Sequence, residues 1–231
     1  MKIIINIATY NSNERADTLN KVMVSLNNNT IPPDIINVYD NDYQNIDLTD
    51  KGKFYFLKDI DESQFTKPIY IFTCDDDILY PKTYIEDTIK LLEQYNNHII
   101  TYHGRILTNS GISYYRNHRR FRCLGTVNDN HIIDVAGTGV TAFNFTTLPK
   151  LLKEELINLY KLPDQKCSDL LFSRILAKHN YPILLAKHNS GYFKDLSLNQ
   201  TTNCYKSMLK DQTNLIKLVD DILIYKSKYI Q

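Results

Sequence analysis

Residues 68–81 read Pro-Ile-Tyr-Ile-Phe-Thr-Cys-Asp-Asp-Asp-Ile-Leu-Tyr-Pro, and this stretch decides how the chain is interpreted. The apolar run 69–72 predicts a buried strand, bounded by the proline before it and by a helix that begins near Pro81. Asp75, Asp76 and Asp77 follow directly, so we expect three carboxylates to leave the carboxyl-terminal edge of a sheet together.

Three adjacent carboxylates repel one another, and the repulsion raises the pKa of each unless a cation lies among them. A divalent hard cation with oxygen ligands, Mg2+ or Mn2+, is the simplest such partner, and it keeps positions open for water and substrate phosphates. The alternative is an acidic turn that caps the helix after Pro81, because aspartate is common near helix N-termini. One aspartate serves a cap and three exceed that need, so the sequence predicts a metal site.

The composition is that of a globular protein with a sizeable core. Of the 231 residues 43% are hydrophobic, and a net charge of +1 gives no global field that would indicate nucleic acid or a membrane. Without a linker or an internal repeat, we expect a single domain over residues 1–231. The cysteines at 74, 123, 167 and 204 form no metal-binding cluster, which argues against zinc. Free thiols and the lack of a signal peptide or membrane span lead us to expect a cytoplasmic protein.

Apolar strands alternate with helices in the first 103 residues. Strands are predicted at 2–8, 35–39, 53–57, 69–73 and 99–102, with helices at 13–28 and 81–95. This alternation predicts an α/β fold with a mostly parallel sheet covered on both faces by helices. Ligands bind beyond the carboxyl ends of such strands, and Thr9, Asp40 and Asp75 all fall at these ends. We therefore expect one cleft to collect all three side chains.

The remaining chain contains further strands and helices. Strands are predicted at 132–136, 140–145 and 182–186, and helices at 148–160, 168–179 and 205–229. The last helix carries an apolar stripe at helical spacing, formed by Met208, Leu215, Val219, Ile222 and Leu223. We expect the stripe to pack on its own domain, with a second subunit or a membrane surface as the alternatives.

The segment 114–122 is both basic and aromatic, and three interpretations stay open for it. Its arginines suit the phosphate oxygens of a diphosphate, in which case residues 116–122 form a closing lid. Arginines interleaved with aromatic residues also suit nucleic acid. A solvated hairpin is the third interpretation.

Several ordered pieces of the chain resemble a glycosyltransferase of the GT-A fold, and the pattern is most similar to glycosyltransferase family 2. The resemblance covers about residues 2–195. Ile-Ala-Thr-Tyr-Asn at 7–11 resembles the family's first strand and turn, and Val-Tyr-Asp-Asn-Asp at 38–42 resembles its second strand with a terminal aspartate pair. Residues 74–81 resemble its aspartate-rich metal motif. The family has a glycine loop under the acceptor, which Gly137-Thr138-Gly139 resembles. It places its catalytic carboxylate at the start of a helix, which Cys167-Ser168-Asp169 resembles.

The resemblance implies a GT-A (Rossmann-like) α/β fold, a mostly parallel sheet flanked by helices with a C-terminal helix. Residues 1–103 would bind the nucleotide, 104–204 would form the acceptor and catalytic part, and 205–231 would include the C-terminal helix. The implied activity is metal-dependent transfer of a sugar from a nucleotide-sugar donor, a UDP- or dTDP-sugar, to a hydroxyl of a glycan or another acceptor, with inversion. No nucleic-acid partner is expected.

The resemblance also implies roles for individual residues. Asp75 and Asp77 would hold Mn2+ or Mg2+, with His188 as a third protein ligand or a phosphate contact, and a loop histidine without such a role is the alternative. Asp169 would be the general base, with a helix N-cap as the alternative. The residues implied to contact substrate are Thr9 and Tyr10 in the base pocket, Asp40 on the N3–H of uracil or thymine, and Asn11, Arg15, Asp76, His103, Gly137, Thr138 and Gly139. The alternative for Tyr10 is a tyrosine at the edge of the core. The alternative for Asp40 is a residue that forms a turn.

The chain departs from the family pattern at three places. Cys74 stands where many members begin the metal motif, so which two aspartates bind the metal stays open. Ser168 replaces the first of two acidic residues, which leaves Asp169 as the base candidate, and the glycine-rich turn after the second strand is absent.

Two functions other than glycosyl transfer are consistent with parts of the sequence. A nucleotidyltransferase of related fold is disfavoured because the loop 9–15 has no glycine. A nucleic-acid-binding module built on residues 116–122 is disfavoured by the net charge. The sequence leaves the donor sugar, the acceptor, the linkage and the oligomeric state open.

Overall fold

The structure, a computed structural model, describes residues 1–10, 12–64, 66–116, 118–162, 167–197 and 212–229. The strands are β1 (Lys2–Thr9), β2 (Ile35–Asp40), β3 (Ile69–Cys74), β4 (Ile78–Leu79), β5 (Ile99–Thr101), β6 (Gly104–Ile106), β7 (Arg119–Phe121), β8 (His131–Ile133), β9 (Val135–Ala136), β10 (Val140–Asn144), β11 (Ile183–Leu185) and β12 (Lys194–Asp195). The helices are α1 (Ser12–Asn27), α2 (Tyr84–Gln94), α3 (Lys150–Ile157), α4 (Ser168–Lys178) and α5 (Thr213–Ser227). Short 3₁₀ helices lie at Thr49–Asp59, Glu62–Gln64, Phe145–Thr147 and Leu159–Lys161.

In the part of the chain that the structure describes, seven strands form the central sheet in the order β2-β1-β3-β10-β5-β11-β8. Strand β1 pairs in parallel with β2 and β3, and β5 pairs in parallel with β11. Strand β10 lies antiparallel between β3 and β5, and β8 is antiparallel at one edge. Five of the seven strands therefore run in one direction, which confirms the predicted α/β fold with a mostly parallel sheet.

The two faces of the sheet are covered by different helices. On one face α1 and α2 contribute buried residues such as Val22 and Ile89 to a core with the alternating side chains of β1 and β3. On the other face α3, α4 and α5 build a second core that includes Leu152, Phe172 and Ile222. The near-continuous apolar runs of β1 and β3 follow from this arrangement, because strands covered on both faces have no side open to water.

The C-terminal helix α5 packs on its own domain. It contacts α4, and it buries Leu215, Leu218, Val219 and Ile222. The predicted stripe is confirmed where it is described, and Met208 lies outside the described residues. Within the described part of the chain, no helix combines the length and the apolar character needed to cross a membrane.

The predicted strand at 53–57 is wrong, because these residues belong to the 3₁₀ helix Thr49–Asp59. In a 3₁₀ helix residues three apart lie on one side, so Phe54 and Leu57 both point into the core and are fully buried there. The Phe54 ring lies 5.3 Å from the Phe172 ring of α4. The aromatic run has strand-like composition, and packing against α4 overrides that local preference.

The segment predicted as one strand at 132–136 is divided into β8 and β9 at Asp134. The backbone N–H of Leu107 donates to Asp134 Oδ2 over 2.6 Å, and Lys226 of α5 pairs with its other oxygen. Strand β9 then joins β6 and β7 in a separate three-stranded sheet, and β4 pairs with β12. Sequence analysis predicted none of β4, β6, β7 and β12.

Candidate active site

Three segments that are distant in sequence meet at the carboxyl edge of β3. The first residue of β10, Val140, pairs with the last residue of β3, Cys74, so the loop before β10 arrives where the aspartates begin. A Cβ added to Gly139 would lie 1.8 Å from Asp75 Oδ2, so the carboxylate occupies space that only glycine leaves open. On the other side of this loop, the N–H and hydroxyl of Thr138 donate to Asp169 Oδ1 over 2.8 and 2.9 Å. The aspartate motif, the glycine loop and the start of α4 are therefore one site.

Asp76 is held inside the protein by two partners. Thr9 Oγ1 donates to Asp76 Oδ2 over 2.6 Å, and Arg15 Nη1 donates to Oδ1 over 2.6 Å. Burial raises the pKa of Asp76, and the Arg15 charge and the Thr9 hydrogen bond oppose that rise. The side chain is 5% exposed and both of its oxygens are engaged. Asp76 was predicted to contact substrate, and the structure instead places it in the joint between β1, α1 and β3.

Arg15 links this buried joint to the predicted base pocket. Its Nη2 donates to the hydroxyl of Tyr10 over 3.1 Å, and its guanidinium lies 4.3 Å from the centre of the Tyr10 ring. Arg15 therefore holds the tyrosine in place at the end of β1 through both a hydrogen bond and a cation–π contact.

Asp75 has a cationic partner that the sequence analysis missed. Lys53 of the 3₁₀ helix is buried, and its ammonium donates to Asp75 Oδ1. Burial by itself lowers the pKa of Lys53, and the carboxylates of Asp75 and Asp50 outweigh burial and raise that pKa above its ordinary value. Lys53 was missed because the segment 53–57 was predicted as a strand, which gives its side chain no particular direction toward the aspartates.

Asp77 differs from Asp75 and Asp76 because no cationic side chain in the described part of the chain is paired with it. Burial, followed by the charges of Asp75 and Asp76, raises the pKa of Asp77 to about 7. When all three carboxylates are ionised, the cluster carries one negative charge more than Lys53 and Arg15 neutralise, and additional positive charge near Asp77 favours this ionised state.

The chemistry of these oxygens suits a divalent cation with few protein ligands. In the described part of the chain, no three His, Cys, Asp or Glu side chains are arranged to hold a metal ion. Asp77 and the second oxygen of Asp75 can offer two carboxylate ligands, and Mg2+ is commonly bound by one or two carboxylates together with substrate phosphates and water. The residues thus fit an ion that a bound diphosphate completes, and they do not fit a closed, all-protein metal site.

His188 was predicted as a third metal ligand, and the structure does not bring it into a ligand set with the aspartates. Its Nδ1 lies 2.9 Å from the carbonyl oxygen of Ala186, and its Nε2 lies 3.3 Å from that of Arg122. The ring packs 5.7 Å from the Tyr102 ring and is 7% exposed. Both ring nitrogens thus face backbone carbonyls, so His188 holds the segment after β11 against the loop that follows β7.

Asp169 is positioned by neighbours outside its own helix. Besides the two bonds from Thr138 to Oδ1, the Tyr114 hydroxyl donates to Oδ2 over 3.2 Å. The N-cap position of α4 belongs to Cys167, and the hydrogen bonds of Asp169 run to Thr138 and Tyr114 rather than to the helix. The alternative of a simple N-cap is therefore not what this geometry shows.

A second acidic residue, Asp50, lies behind Asp169 and was also missed. The backbone N–H and hydroxyl of Ser168 donate to Asp50 Oδ2 over 3.0 and 2.6 Å. Burial raises the pKa of Asp50 to about 6, against the opposing charge of Lys53 and the Ser168 bonds. Ser168 thus connects α4 to the 3₁₀ helix that carries Lys53.

Asp40 lies at the expected strand end, opposite Thr9 in the register of β1 and β2. Its Oδ1 accepts the backbone N–H of Asp42 over 3.0 Å, which is the turn-forming contact that was weighed as the alternative role. Neighbouring Asn41 was not predicted. Its Nδ2 donates to the carbonyl oxygen of Thr9 over 2.8 Å and its Oδ1 accepts the N–H of Leu48 over 2.8 Å, so it ties the base-pocket turn to the next loop. Asn11, also predicted to contact substrate, lies outside the described residues.

His103 lies beneath the glycine loop. A Cβ at Gly137 would approach the His103 ring to 2.8 Å, and the N–H of Cys123 points to Nδ1 over 3.4 Å. Burial lowers the pKa of His103 to about 4, with Arg120 and Arg105 adding to the effect and Asp169 opposing it. The imidazole is therefore neutral at pH 7.

No protein-family model and no curated protein sequence matches the chain. Among solved structures, A197 from STIV shares 12% identity over 84% of both chains with a TM-score of 0.46. S. aureus TarS shares 12% identity over 98% of this chain and 43% of its own, with a TM-score of 0.49. The inositol-1-phosphate CTP transferase from T. maritima shares 10% identity over 95% of this chain and 76% of its own, with a TM-score of 0.42. These likenesses are distant, with identities of 10–12%.

Proposed function

We propose that the chain is a GT-A-type glycosyltransferase that moves a sugar from a nucleotide-sugar donor to an acceptor hydroxyl, with inversion. The observation that carries the proposal is the connection of Asp75 to Asp169 across the loop 137–139. An inverting displacement needs charge neutralisation for the leaving nucleoside diphosphate on one side and a proton acceptor on the other. In this proposal a cation held by Asp75 would neutralise the leaving group and Asp169 would accept the proton, and both residues lie against the loop 137–139.

On the donor side, the chain supplies the base pocket and the charge balance. Thr9 and Tyr10 would line the pocket, and Asp40 at the end of β2 would accept the N3–H of uracil or thymine. Mn2+ or Mg2+ held by Asp77 and Asp75 would act as a Lewis acid on the diphosphate. The ammonium of Lys53 adds positive charge beside Asp75, where the leaving group gains negative charge.

On the acceptor side, Asp169 would take the hydroxyl proton in the transition state. An ionised carboxylate has about four lone-pair sites, and Thr138 and Tyr114 occupy three of them. These three bonds fix the direction of the remaining site, and fixed direction is what a general base contributes beyond its basicity.

A thermal-stability screen of the full chain with UDP-, dTDP- and GDP-sugars, each with Mn2+ or with EDTA, tests the proposal. We expect a UDP- or dTDP-sugar with Mn2+ to give the largest rise in Tm, because a ligand at 100 times its Kd stabilises the folded state by about 2.7 kcal/mol. Absence of stabilisation by every nucleotide sugar contradicts the proposal. A larger effect of nucleoside triphosphates would favour the nucleotidyltransferase alternative.

If a donor is identified, NMR of the product tests the stereochemistry. Inversion at the anomeric carbon is expected for a direct displacement with one base, and retention would refute the assignment of Asp169.

A further inference from the structure

The site lies where the carboxyl edge of the central sheet meets the smaller sheet of β6, β7 and β9, and it has an acidic part and a basic part. The acidic part consists of the aspartates 75–77 with their partners Lys53 and Arg15. The basic part is the antiparallel pair β6 and β7, which lies next to the glycine loop because β6 also pairs with β9. The proposed activity uses the acidic part for the donor and leaves the basic part without a role.

Two arginines oppose each other in the basic part. The register of β6 and β7 places Arg105 directly opposite Arg120, and we call these two residues the arginine pair. Residues directly opposite in an antiparallel pair lie on the same face with Cβ atoms about 4.5–5.5 Å apart. An anion between the two guanidinium groups would interact favourably with both.

Arg105 is unusually buried for an arginine that forms no salt bridge with a carboxylate among the described residues. The residue is 4% exposed, and its guanidinium lies 4.4 Å from the centre of the Tyr114 ring. Its Nε is buried and has no hydrogen-bond partner in the described part of the chain. Leaving a buried donor unmet is unfavourable, and a bound oxyanion would satisfy it.

The arginine pair is connected to the proposed base rather than to the metal-binding aspartates. Tyr114, which stacks on Arg105, donates its hydroxyl to Asp169 Oδ2 over 3.2 Å. Both arginines also lie close enough to His103, under the glycine loop, to help burial lower its pKa. An anion bound by the pair would therefore lie on the acceptor side of the site.

We propose that the arginine pair binds an oxyanion of the acceptor, so that the acceptor is a hydroxyl compound carrying a phosphate or a carboxylate. Arginine suits this task because its planar fork matches both groups in a bidentate fashion. The identification of the bound compound as the acceptor rests on the proposed function. The anion site itself can be tested without a donor.

Saturation-transfer NMR titrations of the full chain with four probes test the proposal. Glycerol 3-phosphate is compared with glycerol, and glucuronate with glucose, so that the phosphate and the carboxylate are tested separately. We expect at least one anionic probe to bind and both neutral probes to bind at least tenfold more weakly. Equal binding of charged and neutral probes, or binding of none, overturns the proposal.

The matched variants are Arg120→Gln and Arg119→Gln. Side chains alternate along a strand, so Arg119 lies on the opposite face of β7, where its guanidinium is 4.9 Å from the Phe121 ring. We expect Arg120→Gln to weaken binding of the anionic probe at least fivefold and Arg119→Gln to leave it unchanged. Equal weakening by both variants would show a diffuse field of positive charge and overturn the proposal.

Calorimetric titration of UDP with Mn2+ separates this proposal from the proposed function. We expect UDP affinity to be the same in Arg120→Gln as in the wild type. A loss of UDP affinity in Arg120→Gln, with probe binding unchanged, would show that the arginine serves the donor diphosphate and overturn the acceptor assignment. If the wild-type chain binds no nucleotide while the anionic probe binds, the proposed function fails and the anion site remains.

Discussion

The ammonium of Lys53 occupies a place beside Asp75 that a metal ion would also use. It is buried and donates to Asp75 Oδ1, whereas the Asp75 side chain is 38% exposed and its other oxygen faces the glycine loop. A divalent ion bound by Asp75 and Asp77 would therefore experience the positive charge of Lys53. We expect the variant Lys53→Met, which keeps an apolar stem of similar length and removes the charge, to bind Mn2+ more tightly than the wild type.

The size of the effect follows from the charges and their surroundings. A divalent ion and an ammonium about 5 Å apart repel by about 2 kcal/mol at the dielectric constant of water and by about 7 kcal/mol at an effective value of 20. Since Asp75 is more than a third exposed, the aqueous value is the better guide, and it corresponds to roughly 30-fold tighter binding. The same substitution removes the ion-pair partner of Asp75 and a positive charge that favours ionised Asp50, so we also expect the metal-free variant to unfold at lower temperature, with Mn2+ restoring part of the loss.

Isothermal titration with Mn2+ at pH 7.5, without nucleotide, measures the affinity directly, and circular dichroism verifies that each variant is folded. Lys51→Met is the matched control, because Lys51 lies in the same 3₁₀ helix, is also buried, and donates to the carbonyl oxygen of Leu162 over 2.7 Å. We expect this control to bind Mn2+ as the wild type does. Mn2+ affinity that is unchanged or weaker in folded Lys53→Met would refute the idea that lysine and metal compete for Asp75.

Three further substitutions test the site. Because burial and its neighbours raise the pKa of Asp77 to about 7, the folded state holds an extra proton between about pH 4 and 7, so stability falls as pH rises through that window. For Asp77→Asn we expect the free energy of unfolding, measured with urea in EDTA, to fall by roughly 2 kcal/mol less between pH 5 and 8 than it does in the wild type. We also expect this variant to lose Mn2+-dependent UDP binding. A decrease in unfolding free energy equal to that of the wild type would contradict the pKa assignment. Asp169→Asn should lower turnover by about 10²–10⁴-fold with donor affinity nearly unchanged, and near-normal turnover would exclude it as the base. Gly139→Ala should disturb Asp75 and abolish metal-dependent nucleotide binding, whereas Gly125→Ala, whose Cβ would lie 3.4 Å from its nearest neighbour, should bind normally; equal behaviour would show that the close approach is unimportant.

The sheet and the aspartate cluster could be predicted because their signals are local. The apolar run of β3 is buried on both faces, and the three aspartates follow its end, so the pattern alone gives the position of the carboxylates at the sheet edge. The loop 137–139 and Asp169 carry only weak local signals. They were placed by the order of motifs that the chain shares with a known family, and their contact with Asp75 comes from β10, which returns antiparallel through the centre of the sheet.

The residues that were missed depend on pairings that no local pattern encodes. Lys53 reaches Asp75 only because its segment forms a 3₁₀ helix, and the aromatic run beside it has the composition of a strand. Arg120 belongs to the basic segment 116–122, for which a closing lid was one interpretation, but its position opposite Arg105 was not predicted. That position follows from the pairing of two three-residue strands, and strands that short leave no periodicity to read. His188 follows its strand as predicted, but the ring turns toward two backbone carbonyls, a direction that sequence position does not determine.

The charge arrangement explains why metal and donor would bind together. Sequence analysis required a cation among three carboxylates, and the protein supplies two of its own, Arg15 on Asp76 and Lys53 on Asp75. When Asp77 is ionised, its charge is the one that Arg15 and Lys53 leave unbalanced within the cluster. A divalent ion alone would then give the cluster a net positive charge, and a diphosphate alone would face an uncompensated carboxylate. An ion and a diphosphate that bind at the same time compensate each other and the remaining aspartate. If the cluster holds a metal ion as proposed, the two internal cations would leave that site incomplete until the donor binds, which is the arrangement expected where a metal serves the substrate phosphates rather than the fold.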